Sequence, residues 1–267
     1  MINPKVTIIT VAFNAADYIE KTLLSVINQT YSNIEYIIID GGSTDGTVDI
    51  IKKYSNKISY WISEPDKGIY DAMNKGINKA TGDWINFMNA GDTFYSCESI
   101  STICNFLEKT TAEIIYGDAN FIYDWGTKIY QALPLNLIIK HMIFSHQSSF
   151  TKTQLLKTQK FSTKYKIAGD YDFFYHQFLA NKKFLHIPIC VANYDAIQGI
   201  SARQHFLAMK ENAYINGNIK KTIWKISYYK DITLCNISNI IKKILPNNIT
   251  LLIKRYKNAP QNSDEKK

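Results

Sequence analysis

Along the first ninety residues, short apolar runs alternate with stretches whose apolar positions recur at helical intervals. Val6 to Val11, Ile34 to Ile39, Ile58 to Ile62 and Trp84 to Met88 are near-continuous apolar runs of strand length. Between them lie three helical faces: Ile19, Leu23, Val26 and Ile27; then Val48, Ile51 and Tyr54; then Ile69, Met73 and Ile77. Asp17 and Glu20 have the spacing of a capping box at the start of the first helix. Strands that are apolar on both faces belong to a parallel sheet covered on both sides, and the intervening helices make right-handed crossovers. The pattern predicts an α/β fold: an open, mostly parallel, doubly wound sheet with helices on both faces. Ligands of such sheets sit beyond the carboxyl ends of the strands. The loops to read for chemistry are therefore 10–14, 40–46, 64–68 and 89–92.

After Asp92 the pattern is less regular. Ile114 to Tyr116 and Phe184 to Tyr194 read as strands, and His146 to Thr151 as a short one. Residues 131–144 form a mixed apolar stretch around Pro134. Asp170 opens an aromatic helix with Phe174 and Phe178 on one side. From about residue 203 the chain reads as helical and basic. The expected division is a domain over 1–205, with halves 1–95 and 96–205, a helical basic extension over 206–258 and a disordered tail over 259–267.

Composition narrows the class. With 46% hydrophobic and 20% charged residues, the 267-residue chain is globular rather than disordered. Lys plus Arg outnumber Asp plus Glu by 31 to 23, a formal net charge of +8. That balance suits nucleic acid, an anionic membrane or phosphorylated substrates. The excess sits mostly towards the C-terminus, in residues such as Lys220, Lys221, Lys225, Lys230, Lys242 and Lys243, away from the four loops. No recognition motif for nucleic acid accompanies it. Ile237 to Lys257 mixes isoleucine and leucine with lysine, which fits either a helix on an anionic membrane or one packed on the domain. Cys97, Cys104, Cys190 and Cys235 form no C-x-x-C pair, so a zinc site is not expected. Neither a signal peptide nor an apolar stretch of roughly 18 residues is visible. The expected location is the cytoplasm, with peripheral contact at the cytoplasmic face of the inner membrane as an option.

Each loop offers a functional and a bland reading. Asp40-Gly41-Gly42-Ser43-Thr44-Asp45-Gly46-Thr47 leaves a buried run and enters a helix. Its glycines permit close approach to a ligand, and Ser43 and Thr44 can cap the helix. No Lys follows Gly46, and the spacing is not G-x-G-x-x-G, so neither common phosphate loop is present. In Asn89-Ala90-Gly91-Asp92, the carboxylate is either a hard-cation ligand or a turn former. Lys67, in Glu64 to Gly76, stands near a helix start, which suits a bound anion or plain solvent exposure. In Gly169-Asp170-Tyr171-Asp172, one carboxylate could be a general base, or both could simply complement the helix dipole. His146 and Gln147 precede this helix.

Together with the Ile8 to Asn14 start, these motifs resemble glycosyltransferase family 2 and its GT-A fold, over roughly residues 4 to 205 and in the family's order. The Glu64 to Gly76 block most resembles bacterial enzymes of capsule, O-antigen and colanic-acid assembly. The resemblance implies a nucleotide-sugar donor, most often UDP-linked, and a glycan or polyprenyl-linked acceptor. It places Thr10, Ala12, Asn14, Ser43, Asp45 and Asn89 around the nucleotide sugar, with Asp40 on the base and Lys67 near the base or phosphates. It makes Asp92 the ligand of a divalent cation, Mg²⁺ or Mn²⁺, and Asp170 the catalytic base with Asp172 in support. His146 and Gln147 fall on the acceptor side. Transfer would be metal-dependent and inverting. Where many members carry a run of acids, this chain keeps only Asp92, and Gly169 replaces the Glu that often precedes the base. Two rivals are a nucleotidyltransferase, whose Gly-rich basic loop is missing from Thr10 to Asn14, and a non-catalytic protein of the same fold.

Overall fold

The β-branched run that opens the chain becomes the centre of the sheet. In the computed structural model, which describes residues 3–107, 109–197, 199 and 203–244, β1 (Val6–Ala12) is buried along its whole length. It pairs in parallel with β2 (Ile34–Asp40) on one side and β4 (Trp84–Phe87) on the other, and β3 (Tyr60–Ser63) continues the parallel set beyond β2. Successive side chains point to opposite faces. Val6 and Ile8 therefore meet Leu23 and Val26 of α1 (Ile19–Ile27), Ile51 of α2 (Thr47–Lys53) and Ile103 of α4 (Ser99–Leu107). Ile9 and Val11 meet Met73 and Ile77 of α3 (Ile69–Lys79) on the other face. Both faces are covered, as continuous apolar strands require.

Beyond β4 the sheet is mixed. β8 (Ser149–Lys152) runs antiparallel between β4 and β6 (Ile114–Tyr123). β9 (Phe184–Asp195) runs parallel to β6, and the two-residue β5 (Thr93–Phe94) pairs antiparallel with β9. β7 (Gly126–Tyr130) folds back on β6 as a hairpin. The order is β3-β2-β1-β4-β8-β6-β9-β5, with β7 beside β6. α5 (Thr153–Thr158) and α6 (Gly169–Leu179) pack on the face of α3.

Local expectations differ from the structure at three points. His146 to Ser148 form a 3₁₀ turn, and the strand begins only at Ser149. The hydroxyls of Ser148 and Ser149 bond to the carbonyls of Ser145 and His146 (both 2.7 Å), which holds a turn where a ladder was expected. Asp17 and Glu20 form no capping box: Tyr18 precedes α1, and Glu20 instead accepts from Lys53 (2.8 Å) and the Tyr54 hydroxyl (2.6 Å). Ser43 and Thr44 do not cap α2, which starts after Gly46.

The first compact unit spans Met1–Asn216 and includes α7 (His205–Ile215). Glu211 explains why α7 belongs to it. Its buried carboxylate accepts the backbone N–H groups of Lys166, Ile167 and Ala168, each at 2.9 Å. The second unit, Gly217–Lys267, contains α8 (Thr222–Ile244). Among the described residues, no helix is long and apolar enough to cross a membrane. The 259–267 tail, and the side chains of Ile237 to Lys257 beyond Ile237, lie outside the described residues.

The amino ends of the parallel strands are tied by Glu35. Its carboxylate accepts from the Lys5 ammonium (2.9 Å), the Thr7 hydroxyl (2.7 Å), and the backbone and hydroxyl of Thr81. Burial alone would raise its pKa. The bonds from Thr81, Thr7 and Lys5 outweigh burial and hold it at about 2, against an ordinary 4.5. A depressed folded-state value gives stability that is present above the unfolded pKa and lost as pH falls through the folded one. Glu35→Gln is therefore expected to lower stability at pH 7 by up to about 3 kcal/mol. Denaturant unfolding at several pH values should show the gap from wild type closing between pH 4.5 and about 2.

Candidate active site

The loops at the carboxyl ends of β1 and β2 are stitched to each other. Asn14, at φ 47, donates its N–H to Ser43 Oγ (2.7 Å) and accepts from Thr44 N–H on Oδ1 (3.0 Å). Ala15 N–H reaches Thr47 Oγ1 (2.7 Å), and Ala16 N–H reaches Asp45 Oδ2 (3.0 Å). Asp45 Oδ1 also takes the N–H and hydroxyl of Thr47 at the start of α2. Beneath them Asp40 has no exposed surface. It accepts from Gly42 N–H (3.1 Å), Ser43 N–H (2.9 Å), Ser43 Oγ (2.5 Å) and Ser63 Oγ (2.6 Å). Thr10 is equally buried, and its hydroxyl contacts Tyr36 Oη and the Met88 carbonyl.

A cleft of about 880 Å³ opens above this platform. One part is bordered by Ala12, Phe13, Asn14, Gly41 and Asp66, the other by Asn89, Asp92, His146, Gln147, Asp170 and Asp195, with Lys166 and Arg203 also on its walls. Of the residues singled out from sequence, Ala12, Asn14, Asn89, Asp92, His146, Gln147 and Asp170 thus share one cleft. The others do not border it. Thr10, Asp40, Ser43 and Asp45 spend their polar atoms on the platform. Lys67 is exposed, and its backbone N–H is held by Asp71 (3.0 Å). Asp172 lies near His176 (3.5 Å), because residues two apart on a helix face different ways.

Asp170 is held from two sides. His146 Nδ1 lies 3.2 Å from its Oδ2, and the Tyr70 hydroxyl lies 3.0 Å from its Oδ1 while also contacting the Ile167 carbonyl. Burial pushes the Asp170 carboxyl up, but hydrogen bonding and charge from His146, with Tyr171 N–H and Tyr70, hold it below the usual carboxylate range. Burial, with the neighbouring Asp170 charge, raises the Tyr70 phenol well above its ordinary value. Asn89 Nδ2 lies 3.1 Å from His146 Nε2, and the Asn89 Oδ1 is buried without a partner among the described residues. Turning that amide over would bring Oδ1 onto Nε2, where it could accept from a ring N–H.

Asp92 is in the opposite situation. Gln147 Nε2 donates to its Oδ2 (2.6 Å) and Asp195 N–H to its Oδ1 (3.0 Å). These bonds do not compensate burial, which pushes its carboxyl up to about 6. A buried carboxylate short of positive charge, with lone pairs left on both oxygens, fits a divalent cation. Among the described residues, no group of three or more His, Cys, Asp or Glu side chains could hold one alone. Mg²⁺-type ions need only one or two carboxylates when substrate phosphates complete the shell.

The sequence pattern of glycosyl transferase family 2 matches residues 7–183. The chain belongs to glycosyltransferase family 2. It is similar to a PGL/p-HBAD biosynthesis glycosyltransferase of Mycobacterium bovis (strain BCG / Pasteur 1173P2), with 29% identity over 75% of this chain and 80% of the relative. An uncharacterized glycosyltransferase of Mycobacterium tuberculosis (strain CDC 1551 / Oshkosh) shows 32% identity over 64% of this chain and 67% of the relative. The fold is similar to that of S. aureus TarS 1-349 in complex with UDP-GlcNAc (TM-score 0.65, 19% identity, 79% of this chain and 66% of that one). It is also similar to the mannosyltransferase PcManGT from Pyrobaculum calidifontis in complex with GDP-Man and Mn²⁺ (TM-score 0.64, 18% identity, 78% and 62%). The chain matches only 39% of the longer TarS structure.

In this family 2 chain one position before Asp92 disfavours any side chain: Gly91 sits at φ 107, and its N–H donates to the Thr22 hydroxyl (3.0 Å). Asp66, Asp195, Lys166, Arg203, Phe13 and Tyr70 line the cleft without having been singled out from sequence. Asp195 ends a long strand, which was the one available hint. Gly91→Ala is expected to cost about 1–3 kcal/mol, seen as a thermal midpoint lowered by several degrees.

Proposed function

We propose that the chain moves one sugar from a nucleoside diphosphate sugar to a hydroxyl of a glycan or lipid-linked acceptor in cell-surface polysaccharide assembly, inverting the anomeric carbon. The observation that carries this is the pair of differently poised carboxylates in one cleft: Asp170, partnered by His146, and Asp92, short of positive charge. The UDP-GlcNAc in TarS and the GDP-Man in PcManGT support a nucleotide-sugar donor. The wording of the Glu64 to Gly76 block supports the capsule and O-antigen type of assembly.

In this reading the acceptor oxygen attacks the anomeric carbon as its proton moves to Asp170, and the bond from that carbon to the diphosphate oxygen breaks. His146 and Tyr70 fix the carboxylate so that it keeps one orientation. Gln147 and the Asp195 N–H orient Asp92. Asp92 and the donor's diphosphate would hold Mg²⁺ or Mn²⁺, which as a Lewis acid offsets the charge on the leaving group. Lys166 and Arg203 add positive charge on the cleft wall.

The exposed apolar stripe of α8, with Ile223, Ile226, Leu234 and Ile237 among Lys225 and Lys230, supports peripheral contact with an anionic bilayer. A chain ending at Asn216 should then be released from anionic vesicles in a sedimentation assay, and continued binding would remove α8 from that role.

Asp170→Asn should reduce sugar transfer by about 10²–10⁴-fold while titration calorimetry shows nucleoside diphosphate binding retained. Asp92→Asn should also lower transfer, but with the gain in nucleotide affinity that Mn²⁺ gives the wild type abolished. Full transfer by Asp170→Asn would eliminate it as the base.

A further inference from the structure

Glu211 is a buried carboxylate with no part in the chemistry above. It lies on α7, beyond residue 183, where the matched family pattern ends. Its Oε1 accepts the N–H of Lys166, and its Oε2 accepts those of Ile167 and Ala168. Three consecutive N–H groups of an irregular segment thus converge on one side chain from another helix. Backbone donors withdrawn from water need a partner, and a charged acceptor holds them more strongly than a neutral one. The place of the segment gives this grip a further consequence. Ala168 immediately precedes α6, and Asp170 is the second residue of that helix.

The peptide between Ile167 and Ala168 is held at both ends. Its N–H goes to Glu211, and its carbonyl accepts the Tyr70 hydroxyl. The same hydroxyl lies 3.0 Å from Asp170 Oδ1. A Cβ built on Gly169 would fall 2.8 Å from the Tyr70 ring, so that ring packs on the bare backbone that opens α6. Hydrogen bonds in series polarise one another. A negative charge at the N–H end therefore makes the carbonyl at the other end a better acceptor for Tyr70. We propose that Glu211 is a positioning residue for Asp170, fixing through the 167–168 peptide and Tyr70 the orientation of the carboxylate that takes the acceptor's proton. His146 holds the other oxygen from the turn before β8. Glu211 thus sets the side of Asp170 that faces α3. The assignment rests on the reading of Asp170 as the base in sugar transfer.

Glu211→Gln keeps the size of the side chain but sets an amide NH₂ against a backbone N–H, so the grip on the segment is weakened. Tyr70→Phe removes the hydroxyl and leaves Glu211 in place. Carbon-13 NMR of aspartate-labelled full chain, assigned with Asp170→Asn, would follow the Asp170 carboxyl through its titration in wild type, both single variants and the double variant. Wild type should titrate below the ordinary 3.8. Each single variant, checked as folded by its melting curve, should raise the midpoint by about half a unit to one unit. Loss of the Glu211 charge by itself would lower it, so a rise reports lost hydrogen bonding. The double variant should rise no further than Tyr70→Phe, because both changes act on one path. An unchanged midpoint in Glu211→Gln, even with a lowered melting temperature, would make Glu211 a structural tie only and overturn the proposal, and additive shifts would overturn the path through Tyr70. If Glu211→Gln does not fold, an unchanged midpoint in Tyr70→Phe overturns it instead. Full transfer by Asp170→Asn would remove the base while leaving the titration shifts intact, so the two readings fail separately.

Discussion

The cleft depends on a carboxylate that never reaches it. Asp40 ends β2 with no exposed surface and, among the described residues, no ion-pair partner, which is costly for a charge unless its lone pairs are filled. Two backbone N–H groups and two serine hydroxyls fill them. Those bonds bend residues 41–43 back over the strand end and draw in Ser63 from β3. Ser43, so placed, receives the Asn14 N–H, which fixes the end of β1 as well. Three strand ends thus become one rigid platform, and Gly41 is left facing the cleft with room for Asp66 above it.

The mixed half of the sheet supplies the facing wall, for a topological reason. β8 runs antiparallel to β4, so its beginning lies beside the carboxyl end of β4. That brings His146 and Gln147, just before β8, next to Asn89 and Asp92. β9 is parallel to β6, and its last residue, Asp195, arrives at the same edge and gives its N–H to Asp92. Both hydrogen bonds to the Asp92 carboxylate therefore come from this half of the sheet, one from the turn before the antiparallel β8 and one from the end of β9, which runs in the same direction as β4.

These features explain what the sequence disclosed. The parallel half was legible because strands buried on both faces must be apolar throughout, and helix faces show a period near 3.6 residues. Motif order located the cleft, and with it Asp92, His146 and Asp170. Individual roles were less legible, because an acid near a strand end looks the same whether it points up into solvent or down into a turn. Asp40 points down, and Asp45, though exposed, turns its oxygens back onto Ala16 and Thr47; nothing in their spacing shows the donors waiting there. Asp66 sits beside Pro65, Lys67 and Gly68, a context that reads as an ordinary turn, and its place on the cleft wall appears only once Gly41 lies beneath it. Lys166 lies in an irregular segment with no periodicity to read, and Arg203 opens the basic helical stretch with no motif to single it out.

The charges on the cleft walls give the arrangement its logic. Asp66, Asp92, Asp170 and Asp195 bring four carboxylates, against Lys166, Arg203 and the imidazole of His146. Lys21 stands 3.7 Å from Asp195 and His146 faces Asp170, so those two acids have compensation of their own. At Asp92 burial outweighs its hydrogen bonds and the nearby His146 charge, and its raised proton affinity reflects what they leave uncompensated. A diphosphate brought alone to Asp92 would worsen that deficit, because like charges in a poorly solvated cleft repel strongly. In the proposed reading, a cation arriving with the diphosphate would make both ligands of one ion. Asp170, whose carboxyl His146 holds below the usual range, would gain little from such an ion, so the proposed division of labour places a proton acceptor and a metal ligand in one cleft.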